Sequence, residues 1–149
     1  MNKYNDLELS ILSCLLQRPS LMNKVIFEDK HFIKHKKIWL FMKSFYKKFG
    51  NFDLTLMMNI SKNKYRMIEY ILWIIEKEPA PSLFEQYQIQ LINEYNQLKK
   101  DKWITEEIYK LSNDLLIKNI QVEDFRNKVD EIYNNAENIF NNELRGEDK

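Results

Sequence analysis

From Leu7 onward the apolar residues fall at helical spacing. Leu7, Ile11, Leu12, Leu15 and Leu16 share one face of a first helix, and Asn5 or Asp6 can cap its start. Pro19 stops that helix near Arg18 and opens a short second one, because proline is tolerated in a first turn. Leu21, Met22, Val25 and Ile26 are its expected apolar face. A third helix is expected from about His35 to Phe49. There Ile38, Met42, Phe45 and Phe49 recur at spacings of four, three and four, and Phe41 widens the stripe. Gly50 ends it, and Asp53 is placed to cap a fourth helix, Leu54 to about Ser61. A fifth is expected from about Lys64 to Lys77. Its broad face of Met67, Ile68, Ile71, Leu72, Ile74 and Ile75 puts it at the centre of the core.

Glu78-Pro79-Ala80-Pro81 reads as a stiff extended connector, since proline fixes its own φ and excludes the preceding residue from the helical region. Ser82 and Glu85 then form a Ser-x-x-Glu capping pattern. No glycine or proline follows until Gly146. Phe84, Tyr87, Leu91, Tyr95 and Leu98 keep a period near 3.5, and Trp103, Ile104, Ile108, Leu111 and Leu115 carry the helix on. Lys118-Asn119 is the expected break. A last helix, about Glu123 to Asn142, carries the heptad stripe Phe125, Val129, Ile132, Ala136 and Ile139. The expected fold is therefore all-α. A compact five-helix head (1–78) is followed by a long antiparallel helical hairpin (82–142) packed on it as a single domain, with a frayed tail (143–149).

Composition supports this and narrows the function. The chain has 149 residues, enough for one well-buried domain, and only two glycines and three prolines, which favours long helices. No apolar run approaches the roughly 20 residues of a membrane span, and the start lacks a signal-peptide pattern. One cysteine, Cys14, excludes an internal disulfide and a cysteine-based zinc site. A cytoplasmic protein with no membrane role is expected.

Catalytic chemistry finds no foothold. The glycines, Gly50 and Gly146, cannot build a phosphate-cradling loop. His31 and His35 are four apart but lack further ligands, so they read as a surface pair among lysines. Cys14 reads as a small buried side chain. Glu8, Glu28 and Asp29 form no acid/base pair. Neither an enzyme activity nor a metal or other cofactor is expected.

Charge is unevenly spread although the net value is only +1. Lys24 to Lys48 holds eight lysines against Glu28 and Asp29. From Glu123 onward eight acids face Arg126, Lys128, Arg145 and Lys149. Lys34, Lys36, Lys37, Lys43, Lys47 and Lys48 form a basic face that can contact phosphates or simply be solvated. The face holds no arginine, which argues against sequence-specific reading. Opposite charges at the two ends can also guide partner docking. Trp39, Trp73, Phe41 and Phe45 read as core. Trp103, in the polar stretch Lys99-Lys100-Asp101-Lys102, is either a binding hot spot or a contact with the facing arm.

One ordered series of residues resembles a known family. Leu7-Glu8, Ile11-Leu12, Ser13-Cys14, Leu15-Leu16 and Pro19 with Leu21 are similar to the opening of the N-terminal domain of DnaB-type replicative helicases. Phe32, His35, Ile38-Trp39 and the Gly50-Asn51-Phe52-Asp53-Leu54 turn resemble its next segment. Pro81-Ser82 and Tyr87, before a long charged helix, resemble its entry into a helical hairpin. The likeness spans about residues 5 to 140. It implies a non-catalytic domain that forms a collar through hairpin contacts and docks primase and loader proteins. Without the ATPase domain that follows in the family, the expectation is a phage- or mobile-element-encoded replication accessory protein. Its expected partners are a replicative helicase, a helicase loader or a primase, and it is expected to form a homo-oligomer, a dimer or higher. Trp103, Ile104, Ile108, Phe125, Val129, Ile132 and Ile139 are the candidate oligomer and partner contacts. Some of them must instead hold the two arms together. Two alternatives stand beside this reading: a DNA-binding replication protein that uses the lysine face, with nucleic acid a secondary partner, and a fragment of a full helicase.

Overall fold

The structure is a computed structural model that describes residues 6–61, 72, 75 and 79–146. Among these residues all regular structure is helical and no strand occurs. Helix α1 runs Leu7–Gln17. Asp6 is its cap, accepting the Leu9 N–H at 3.1 Å. Pro19 then opens a 3₁₀ turn, Pro19–Lys24, whose Leu21 is buried. Ile26, expected on the same face, is exposed. The turn ends at Lys24 and Val25 is extended, so successive side chains alternate in direction: Val25 packs on the core and Ile26 points away.

Helix α2, Lys36–Phe49, buries Ile38, Trp39, Met42 and Phe45. Gly50 closes it in the left-handed conformation (φ 71°) and donates to the Tyr46 carbonyl at 2.7 Å. Phe49, the last helical position, is partly exposed rather than core. Asp53 caps α3, Leu54–Ser61, by accepting the Leu56 N–H at 2.9 Å. The fifth helix expected over 64–77 lies outside the described residues, apart from Leu72 and Ile75. Both are helical, and Ile75 packs against the core.

Pro81 starts a 3₁₀ turn, Pro81–Leu83, which runs directly into α4, Phe84–Leu116. Ser82 lies inside that turn and is not a cap: a proline at the turn's start already sets φ and has no N–H to satisfy. Helix α5 runs Val122–Gly146, so 143–146, expected to fray, continue the helix.

The chain divides into two compact units, Met1–Asn93 and Glu94–Lys149. The division falls within α4 rather than at the proline connector, because the first turns of α4 belong to the first core. Phe84, Leu91 and Ile92 are buried there with α1, α2 and Met57 of α3. Phe27 meets the Trp39 ring edge-on with centroids 4.8 Å apart, and Phe32 stacks on it at 5.6 Å. The second unit has a smaller core of Ile104, Ala136 and Phe140, with Trp103, Ile108 and Ile132 packed against it. The apolar stripe of α4 is therefore not one continuous heptad seam. Its first part is in step with Leu91 and its second with Ile104 and Leu111. Leu98, which keeps the first phase beyond the first unit, is exposed.

Helix α4 stops at Leu116, and the turn that closes it is built on Lys118, where the sequence places the break. Lys118 is the one described non-glycine residue with positive φ (62°). The Lys118 N–H reaches the Leu115 carbonyl (3.1 Å) and the Asn119 N–H reaches that of Asp114 (2.9 Å), the Schellman pattern normally built on glycine. A lysine in this conformation carries a steric cost of roughly 1 kcal/mol. Lys118→Gly is thus expected to raise the melting temperature by about 2–4 °C. A lowered value in a thermal melt would show that the lysine side chain stabilises the turn in another way.

Candidate interaction surfaces

The start of α2 is fixed by acids from α1. Glu8 is buried, and its carboxylate accepts the Lys34 N–H (3.1 Å) and the His35 N–H (2.9 Å). One side chain thereby satisfies two backbone donors ahead of the helix, where negative charge is also favoured by the helix dipole. His35 Nε2–H donates to Asp6 Oδ2 at 3.0 Å. Burial acts to raise the pKa of Asp6, but the hydrogen bonds from His35 and from the Leu9 N–H outweigh it and hold the carboxyl below its usual range. His31 is buried too, and its Nδ1 accepts the Glu28 N–H at 2.8 Å. The histidines are thus packing and capping groups, not a surface pair. Their neighbours from α1 and the 28–29 turn, distant in sequence, take them out of solvent.

Asp29 ties the same corner to the face of α2. It accepts from the Trp39 indole N–H (2.7 Å) and from Lys43 (3.1 Å). The indole hydrogen bond, then Lys43, lower its pKa. Of the six lysines proposed from sequence, Lys34, Lys36, Lys37, Lys43, Lys47 and Lys48 are all exposed. Lys43 is held by Asp29, and Lys48 lies over the Phe49 ring at 5.3 Å. Among the described residues no ion pair engages Lys36, Lys37, Lys47 or Lys48.

In the second unit the proposed contact residues separate into two groups. Ile104 is buried, and Trp103, Ile108 and Ile132 pack around it. Trp103 meets the Phe140 ring edge-on, centroids 6.3 Å apart, so it is a packing residue within this unit. Lys100 pairs with Glu137 beside them. Phe125 and Val129 are half-buried. Ile139 is 44% exposed, and Phe140 takes the buried position expected for it. A straight helix drifts about 20° per heptad, so the stripe from Phe125 through Val129, Ile132 and Ala136 comes to lie between Ile139 and Phe140, and Phe140 is the one that meets Trp103. Sequence reasoning missed Phe140, Tyr109, Leu116 and Tyr133. Leu116 is 77% exposed, and Tyr109, Ile117, Val122 and Tyr133 are exposed as well.

Cys14 is buried and its thiol is pushed up to about 11 by burial, so the thiolate that would act as a nucleophile is scarce at neutral pH. Among the described residues no cluster of three or more His, Cys, Asp or Glu is placed to hold a metal ion, and no helix is long and apolar enough to cross a membrane. The chain matches no known protein-family model, no curated protein and no solved structure.

Proposed function

We propose that this protein is a non-catalytic replication accessory factor, related to the N-terminal domain of DnaB-type helicases, that works by binding a replicative helicase, its loader or primase. One observation carries the reading. The residues that make the sequence resemble that family are the ones that hold the first unit together. Glu8 anchors the start of α2, and Phe32 and Trp39 build the aromatic centre. Gly50 turns the chain after α2 and Asp53 caps α3. A resemblance spread over unrelated surface positions would carry no such structural weight.

In this reading the second half of α4 and α5 form the antiparallel hairpin of the fold. Ile104, Ala136 and Phe140 join its arms, while Ile139, Tyr133, Tyr109 and Leu116 supply the surface for a second copy or a partner. Exposed tyrosines and large aliphatic residues along an arm are the composition of a protein interface. The test is the solution mass of the protein by light scattering, alone and after Tyr133→Glu with Ile139→Glu. Both positions are exposed, so the fold is retained. An oligomer that becomes a monomer in the variant supports the reading, and an oligomer unaffected by it removes these residues from the interface.

A further inference from the structure

We propose that the lysine face of α2 is a docking surface for the phosphate backbone of duplex DNA, bound without regard to sequence. Residues 30–52 hold seven lysines and no acid, leaving 16 basic against 22 acidic residues in the rest of the chain. A protein of net charge +1 thus carries a concentrated positive field on one short segment. The helix sorts that charge geometrically. Lys36, Lys43 and Lys47 lie at i, i+7 and i+11 and form one row. Lys37 and Lys48 form a second, shifted one residue and so about 100° around the axis. Each row is about 16 Å long. Leu40 and Ser44 lie between the rows, and no side chain on this face carries an amide, a carboxylate or a guanidinium.

Two rows, rather than one, favour a DNA groove over an acidic protein helix. A partner helix contacts a narrow stripe and meets one row. A groove about 12 Å wide, the width of the B-form major groove and close to a helix diameter, flanks the helix with phosphates on both sides. Leu40 and Ser44 would then face the base edges without the bidentate groups that read them. Lysine, a hydrated point charge on a flexible stem, suits backbone contact of this indifferent kind. Lys43 counts for little, because Asp29 already engages it. Four lysines, Lys36, Lys37, Lys47 and Lys48, remain to displace counterions.

The experiment is fluorescence anisotropy of a short labelled duplex DNA titrated with the protein at several salt concentrations. Four phosphate contacts give a slope of about −3.6 in log affinity against log salt, a fall of roughly 150-fold between about 50 and 200 mM. Lys36→Gln with Lys47→Gln is expected to reduce the slope by about 2. The same change at Lys102 and Lys128, exposed in the second unit, leaves it as it was. Circular dichroism checks that each variant folds. Absence of DNA binding, or a slope that ignores the α2 lysines, overturns the proposal. Equal binding of a polyglutamate peptide overturns it too, and assigns the face to an acidic protein surface.

Discussion

Glu8→Ala is expected to lower the melting temperature by about 10 °C. The Glu8 carboxylate accepts two backbone N–H groups, those of Lys34 and His35, at 3.1 and 2.9 Å. It does so from a buried position, with 7% of the residue exposed. Hydrogen bonds to a charged acceptor contribute about 1.5–3 kcal/mol each, and removing the acceptor leaves two shielded donors without a partner. A net loss of about 3 kcal/mol follows. In a chain of this length each kcal/mol moves the midpoint by about 2–4 °C. Glu8→Gln keeps one carbonyl oxygen in reach and is expected to lose about half as much. A scanning-calorimetry shift below about 2 °C for Glu8→Ala would mean that water replaces the carboxylate, and that α1 does not fix the start of α2.

Gln88→Leu is expected to cost about as much, for a related reason. Gln88 is 1% exposed, in the first part of α4. Its Oε1 accepts the Ile26 N–H at 2.7 Å and its Nε2 donates to the Lys24 carbonyl at 3.2 Å. The amide therefore closes the backbone where the 3₁₀ turn gives way to an extended strand of chain, a place that cannot supply its own partners. Leucine fills a similar volume but offers neither donor nor acceptor. Two part-buried backbone groups would lose their partner at about 1–3 kcal/mol each, for a total of about 3 kcal/mol. Chemical denaturation should show a lower midpoint at unchanged slope, and hydrogen exchange should show lost protection at the Ile26 amide. If that amide stays protected in Gln88→Leu, another group holds it.

The elements were legible in the sequence where local rules decide them. The Asp6 and Asp53 caps depend on one side-chain oxygen and the Gly50 stop on one residue's backbone freedom, and each falls where the pattern puts it. The break at Lys118-Asn119 falls there too, although its left-handed turn goes against lysine's own preference. What was not legible depends on long-range partners. Nothing in the spacing of Glu8, His31 or Gln88 announces a buried polar anchor, since their partners lie 26, 3 and 62 residues away or are main-chain groups of any sequence. The stripe in α4 misled for a different reason. A helix that serves two cores changes its apolar phase between them, and a single period fitted through Leu98 cannot show where that happens. A straight helix drifts only about 20° per heptad. Over the two heptads from Phe125 that leaves Ile139 and Phe140 on either side of the buried line, and Phe140 is the one that meets Trp103.

The same division affects the interaction surface. Trp103, Ile104 and Ile132 were proposed as contacts on their apolar character, yet they are spent on the second unit's own core. Tyr109, Leu116 and Tyr133, which the heptad pattern passed over, are exposed together with Ile139, and these are the positions the proposed interface uses.

The most direct measurement is light scattering behind size exclusion of the purified protein mixed with a DnaB-type replicative helicase, and in parallel with its loader and primase. The expected result is a protein heavier than its 18.3 kDa protomer that co-elutes with one of the three. A strict monomer that leaves all three elution profiles unchanged would contradict the proposed role in replication.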